Sequence, residues 1–201
     1  MKQEIIQGDC LEVMRGFPDK HFDLVLTDPP YGIGMDGGNV GYKGFNNFEK
    51  KNWDKQTPSP EYFIEMQRVS KVQIIFGGNY FPLPPSRGFF VWDKGEGFKG
   101  RTYAECELAW VSEDVNARIL KYDPLARGDY RGKHHPTQKP IELMRWCMSQ
   151  FPDTNTILDP FMGSGSTLVA AKELNKNALG IEIDTDYVQI ARKRLEQDTL
   201  L

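Results

Sequence analysis

Asp28-Pro29-Pro30-Tyr31 places a carboxylate at the end of a short apolar run, Phe22-Asp23-Leu24-Val25-Leu26-Thr27, and stiffens the exit with two prolines. The run is β-rich and stops at proline, the pattern of a buried parallel strand. Proline fixes φ and pushes the residue before it toward extended backbone, so the chain must leave the sheet rigidly. Asp28 and the carbonyls beside it then stand at the carboxyl end of a strand, where open α/β sheets bind ligands. Carboxylate and carbonyl are both acceptors. Two acceptors converging on one point suit an exocyclic amine, holding its N–H groups while the nitrogen lone pair turns toward an electrophile. Tyr31 offers a ring to stack on a planar base.

A second stretch, Asp159-Pro160-Phe161-Met162-Gly163-Ser164-Gly165, follows the short strand pattern Asn155-Thr156-Ile157-Leu158 and precedes a run with helical periodicity, residues 166–174. Strand, glycine turn and helix make a nucleotide cradle, because glycine lets the backbone approach a ligand closely. Glu182 ends the next apolar run and is spaced to accept from both hydroxyls of a ribose. No Lys-Ser or Lys-Thr pair closes the turn, which sets aside a triphosphate-gripping loop. Together the two stretches suggest methyl transfer to an amino group.

With these motifs the chain resembles the β-class amino-methylating DNA methyltransferases, in which Asp-Pro-Pro-Tyr precedes the glycine-rich cofactor turn. Further stretches carry the likeness: Gln7-Gly8-Asp9-Cys10-Leu11-Glu12, Phe76-Gly77-Gly78-Asn79-Tyr80, Phe89-Phe90-Val91-Trp92-Asp93-Lys94 and His135-Pro136-Thr137-Gln138-Lys139-Pro140. The resemblance implies a Rossmann-like α/β fold: a mostly parallel seven-stranded sheet with helices on both faces and a permuted motif order. It implies S-adenosylmethionine as cofactor, held by Asp9, Cys10, Thr137, Gln138, Lys139, Asp159, Pro160, Phe161, Gly163, Ser164, Gly165 and Glu182. Within that set Glu182 would take the ribose, Asp9 would lie near the adenine amino group, and Lys139 would attract the cofactor carboxylate. Asp28, Pro29, Pro30 and Tyr31 would be catalytic, acting on a base flipped from double-stranded DNA. Aspartate at the first catalytic position leans toward adenine N6. Cytosine N4, structured RNA as substrate, and a non-catalytic DNA-binding subunit stand as alternatives.

The elements that must position these residues follow from apolar runs and helical stripes. Strands are expected at residues 4–7, 22–27, 72–76, 88–92, 106–111, 156–158 and 178–183, and helices at 60–69, 140–150, 166–174 and 186–197. A length of 201 residues suits one compact domain, 1–201. Two stretches resist assignment, 35–58 and 112–133, and both read as substrate-facing loops, the second as a short target-recognition region. Its shortness disfavours extended sequence specificity by a lone monomer and makes a homodimer attractive.

A formal net charge of −3 argues against indiscriminate polyanion binding, so contact with nucleic acid must come from a local cluster of cations. Arg118, Lys121, Arg127, Arg131 and Lys133 form one, interleaved with Tyr122, Tyr130, His134 and His135. Cys10, Cys106 and Cys147 are few and scattered, which disfavours a disulfide framework or a metal site and fits a reducing cytoplasm. No apolar run approaches a membrane span, and no signal segment or metal requirement is expected.

Overall fold

A computed structural model describes residues 1–37 and 48–197. Its frame is one sheet of eight strands in the order β1-β8-β7-β2-β3-β5-β4-β6. In chain order these are β1 (Gln3–Gln7), β2 (Phe22–Thr27), β3 (Ser70–Phe76), β4 (Phe89–Asp93), β5 (Cys106–Val111), β6 (Arg118–Lys121), β7 (Thr156–Asp159) and β8 (Asn177–Glu182). All neighbours pair parallel except β3 with β5 and β4 with β5. The helices are α1 (Cys10–Arg15), α2 (Pro60–Val69), α3 (Pro124–Arg127), α4 (Ile141–Ser149), α5 (Ser166–Glu173) and α6 (Thr185–Glu196).

Alternation along the strands divides the core between the two faces of the sheet. Leu24, Leu26, Ile74 and Phe76 pack with Leu143 and Met148 of α4, Leu168 of α5 and Val188 of α6. Val25, Ile75 and Trp110 pack on the other face with Met14 of α1 and Phe63 and Met66 of α2. Each such side chain, fully buried, contributes about 1.5–3 kcal/mol. Helix ends follow local chemistry: Asp184 caps α6 by accepting from the Asp186 and Tyr187 amides, and Asp123 caps α3 through the Leu125 and Ala126 amides.

All seven expected strands and all four expected helices are present within a residue or two. The eighth strand, β6, lies inside the stretch read as an irregular loop. It pairs parallel with β4 at the sheet edge, and its Arg-Ile-Leu-Lys sequence is mostly exposed, so no apolar run announces it. The seven-stranded expectation is therefore corrected to eight. Helix α1 was also missed, because six residues are too few to display a helical period. Of the 35–58 stretch, residues 38–47 lie outside the described residues. Within the rest, Asp54 is buried and accepts from the Gly32 and Met35 amides, so residues 48–54 fold back beside the Asp28 corner.

Strands β2 and β7 are direct neighbours although far apart in sequence. From β2 the chain passes through α2 to β3 on one side; from β7 it passes through α5 to β8 on the other. Their carboxyl ends flank a topological switch point, where the diverging connections open a crevice. Asp23 ties the opposite ends together by accepting from the Asn155 and Thr156 amides at 2.9 and 3.0 Å.

Close packing beneath the crevice depends on Gly180 in β8, where a Cβ would stand 2.4 Å from Met162 Sδ and 2.9 Å from Leu168 Cδ1. Gly180→Ala is expected to destabilise the fold by about 1–3 kcal/mol through overpacking. Urea unfolding should show a lower midpoint at unchanged slope; an unchanged midpoint would show that the turn yields freely.

Candidate functional site

The end of β2 delivers Asp28 into a cluster of buried charges. The Tyr31 hydroxyl donates to Asp28 Oδ1 at 2.6 Å, and Lys139 Nζ pairs with Asp28 Oδ2. Lys139 also pairs with Glu107 of β5 at 3.0 Å, and the other Glu107 oxygen pairs with Lys94, just past β4, at 2.6 Å. Burial raises the Asp28 carboxyl, aided by the Glu107 charge, against the pull of Lys139. Burial acts on Glu107 too, but Lys139 and Lys94 together overcome it and bring that carboxyl down to about 2. The asymmetry has a simple cause: Glu107 touches two ammonium groups and Asp28 one.

Tyr31 stacks on Tyr80, with ring centroids 4.9 Å apart and planes within 10°. Tyr31, read as a ring for a planar base, has Tyr80 on its face, and Tyr80 is itself exposed. Gly77 makes the arrangement possible. It adopts a left-handed φ of +71°, and a Cβ there would stand 2.2 Å from the Tyr31 ring.

The end of β7 delivers the glycine turn. Thr27 at the tip of β2 donates to Asp159 Oδ1 at 2.7 Å, joining the two strand ends directly. Burial pushes the Asp159 carboxyl up to about 7, against the hydrogen bonds it accepts. Gly163 and Gly165 take left-handed φ values of +49° and +81°, and α5 starts at the next residue. Glu182 accepts from the Gly163 amide at 2.9 Å and from the Asp184 amide at 2.8 Å. From α6, Arg194 donates to the Ser164 carbonyl at 2.6 Å and to its hydroxyl at 3.0 Å.

The 134–139 segment spans both halves. Gln138 accepts from the Ser164 hydroxyl at 3.2 Å on the glycine turn, while Lys139 reaches Asp28 on the other side. Between the halves lies a cavity of about 920 Å³, lined by Asp28, Pro29, Pro30 and Tyr31 together with Asp9, Cys10, Thr137, Gln138, Lys139, Asp159, Pro160, Phe161, Gly163, Ser164 and Glu182. Gly165 does not line it; a Cβ there would stand 3.0 Å from Ala191 Cβ of α6.

Some of these residues have structural employment. Asp9 caps α1 through the Leu11 amide and accepts from the Tyr62 hydroxyl. The Cys10 thiol is buried, and burial raises it above the ordinary thiol range. Lys139, read as attracting a cofactor carboxylate, lines the cavity and pairs with Asp28 and Glu107. Glu107, Arg194 and Lys51 carry no local sequence signal, since each acts through a partner on another element.

Lys51 holds one wall of the cavity. Its ammonium contacts Asp184 at 2.8 Å and Asp186 at 2.6 Å; burial opposes the charge, but those hydrogen bonds keep it above the ordinary lysine range. Trp53, two residues on, packs against His135, which packs against Tyr187. Burial lowers the His135 imidazole to about 3, so it is neutral near pH 7.

The five basic residues assigned to nucleic acid do not form one uniform stripe. Arg118, Lys121, Arg127 and Arg131 are exposed; Lys121 lies 3.5 Å from Glu96 and Arg127 lies over the Tyr122 ring. Lys133 is drawn inward over the Tyr130 ring at 3.4 Å, and burial lowers its ammonium to about 7. Among the described residues no group of three or more His, Cys, Asp or Glu is arranged to hold a metal ion, and no helix is long and apolar enough to cross a membrane.

Comparison with known proteins adds to the geometry. Residues 91–193 match the profile of the N6/N4 methyltransferase family, described as DNA methylase. The candidate methylase YubD of Escherichia coli (strain K12) is 31% identical over 94% of this chain and 88% of its own length. The crystal structure of the M1.HpyAVI–SAM complex superposes with a TM-score of 0.62 at 23% identity, covering 97% of this chain and 100% of that one. The cytosine-N4-specific PvuII DNA methyltransferase superposes with a TM-score of 0.60 at 17% identity, covering 100% of this chain and 89% of that one.

Lys51→Met should loosen the cavity wall. Hydrogen exchange at the Gly32 and Met35 amides, which donate to Asp54, is expected to quicken roughly two- to fivefold, matching a part-exposed ion pair worth up to about 1 kcal/mol. Unchanged exchange would show that aromatic packing alone holds the segment.

Proposed function

Since this chain belongs to the N6/N4 DNA methylase family, we propose that it transfers a methyl group from S-adenosylmethionine to the exocyclic N6 of adenine at specific sites in double-stranded DNA. The observation that carries the proposal is the junction of β2 and β7. It sets the Asp28 carboxylate and the glycine turn on one cavity, linked by the Thr27–Asp159 hydrogen bond.

The residues present fit the cofactor. A cavity of about 920 Å³ accommodates an adenosyl group beside a flipped base. Each Glu182 oxygen accepts one backbone amide and keeps lone-pair capacity for a ribose hydroxyl. When bound, S-adenosylmethionine supplies an electrophilic methyl group on a sulfonium sulfur.

The chain itself orients the amine and manages the proton. Asp28 accepts one N6 hydrogen, and the Pro29 carbonyl is the natural acceptor for the second. That arrangement favours a pyramidal nitrogen whose lone pair is free to attack. As nitrogen gains a bond to carbon, positive charge develops beside the Asp28 carboxylate, which stabilises it and takes the departing proton. A raised Asp28 is a better base for that step. Tyr80, stacked on Tyr31 and exposed, extends an aromatic face toward the incoming base, and extrusion of that base costs about a few kcal/mol. Arg118, Lys121, Arg127 and Arg131 supply phosphate contacts, with a second copy of the chain extending the short recognition region. The whole chain acts as one catalytic domain, and its three free cysteines fit a cytoplasmic setting.

Purified protein with labelled cofactor should form N6-methyladenine in duplex DNA in preference to matched RNA. Asp28→Ala should reduce turnover by at least about 10²-fold while labelled cofactor still binds. Nucleoside analysis showing only N4-methylcytosine would overturn the base assignment, and DNA binding without turnover would overturn the enzyme.

Asp28 must be deprotonated to act, so activity rises with pH as it loses its proton. The acidic limb of kcat/KM should fall above the ordinary aspartate value of about 3.9. A limb at or below that value would contradict the proposed environment.

A further inference from the structure

Beyond the Asp-Pro-Pro-Tyr corner, the cluster contains two charged residues to which the reaction assigns no role, Glu107 and Lys94. Glu107 lies in β5 and Lys94 just past the end of neighbouring β4. Glu107 in β5 is the register partner of Trp92 in β4, and Lys94 leaves the same end of β4. Charges balance: Asp28 and Glu107 face Lys139 and Lys94, all with side chains under one-fifth exposed.

An ammonium shared between two carboxylates is held less tightly by either than by one alone. Lys139 donates to Asp28 Oδ2 and the Tyr31 hydroxyl to Oδ1, so the hold of Lys139 on Asp28 competes with the acceptor capacity that an amine substrate needs. Glu107 competes for that ammonium by pairing with Lys139 through one oxygen, while Lys94 pairs with its other oxygen. The Lys94 ammonium is in turn seated near the rings of Trp92 and Phe98, 5.1 and 5.3 Å from their centroids.

We infer that Glu107, paired with Lys94, is a positioning residue that competes with Asp28 for the Lys139 ammonium and so sets how strongly Asp28 acts as acceptor and base. The inference rests on the proposed role of Asp28 toward the amine. Other charged or titratable groups also face the cluster. Tyr31 comes from the same loop with Tyr80 behind it, and Asp159 from the end of β7. Tyr130, Lys133 and His135 act from the 130–135 segment. Tyr130 and Lys133 feel the Glu107 charge, and Lys133 feels that of Lys94 as well, so the effect of each substitution is read at the Asp28 carboxyl itself.

Two substitutions should move Asp28 in opposite directions. Glu107→Gln removes a like charge and leaves Lys139 to Asp28 alone, so Asp28 titrates at lower pH. Lys94→Met removes a cation and leaves the Glu107 charge less compensated, so Asp28 titrates at higher pH. Lys94→Arg keeps the charge and should restore the original position. The measurement is the carboxyl-carbon NMR titration of Asp28 in the intact protein, assigned with Asp28→Asn, alongside the acidic limb of the methylation rate.

Opposite displacements of at least about half a pH unit are expected, with lower kcat and little changed cofactor binding in Glu107→Gln. Displacement in one common direction, or none, would overturn the inference and leave Glu107 a structural charge. If Glu107→Gln does not fold, the Lys94→Met shift and its rescue by arginine decide the matter. Absence of methylation by the unaltered protein would count against the proposed function, while the NMR titration would still decide the role of Glu107.

Discussion

The buried Lys139 ammonium, held between the Asp28 and Glu107 carboxylates, is the interaction on which the rest of the site depends. Removing ions from water costs several kcal/mol each, and attraction offsets that cost only when every partner is in place. Deleting one partner of such a set leaves an uncompensated buried charge, which is commonly worth 3–5 kcal/mol of stability. The Asp28 carboxylate, proposed as catalytic, can therefore sit buried at the strand end only because a lysine from a distant segment arrives there. The neighbouring residue, Gln138, simultaneously reaches Ser164 on the glycine turn. One short turn thus sets the spacing between the two halves of the cavity.

Sheet order explains why the halves can meet although their motifs appear in the chain in reverse of the order usual for a nucleotide-binding fold. Strands β2 and β7 need only lie side by side with their connections diverging, and parallel pairing between Leu24 and Ile157 and between Val25 and Leu158 ensures that they do. Ligand chemistry then belongs to the strand ends, irrespective of which was synthesised first. The Thr27–Asp159 and Asp23–Thr156 contacts lock the register at both ends of the pair.

Much of this is legible in the sequence. Apolar runs ending in proline or glycine identified β2 and β7, because burial on both faces demands continuous β-rich sequence. The positive φ values at Gly163 and Gly165 agree with the reading of that stretch as a tight turn. What stayed hidden depends on contacts between residues remote in sequence. Nothing local in Glu107 distinguishes it from a solvated strand residue; its meaning comes from Lys94 and Lys139 arriving from elsewhere. Tyr31 looked available to a ligand because its partner Tyr80 lies 49 positions away. Strand β6 was obscured by its exposed edge position, and Lys133 looked like a surface cation until the fold drew it over Tyr130.

The central claim is that the acidic corner and the glycine turn serve one reaction coordinate, with donor and amine facing each other across the cavity. A crystal structure with S-adenosylhomocysteine and a duplex carrying a flipped target base tests this most directly. The expected result is a ribose on Glu182, an exocyclic amine within hydrogen-bond reach of Asp28, and a sulfur facing that amine across the length of one methyl group. An adenosyl group bound away from the Asp159–Gly165 turn, or a base amine out of reach of Asp28, would contradict it.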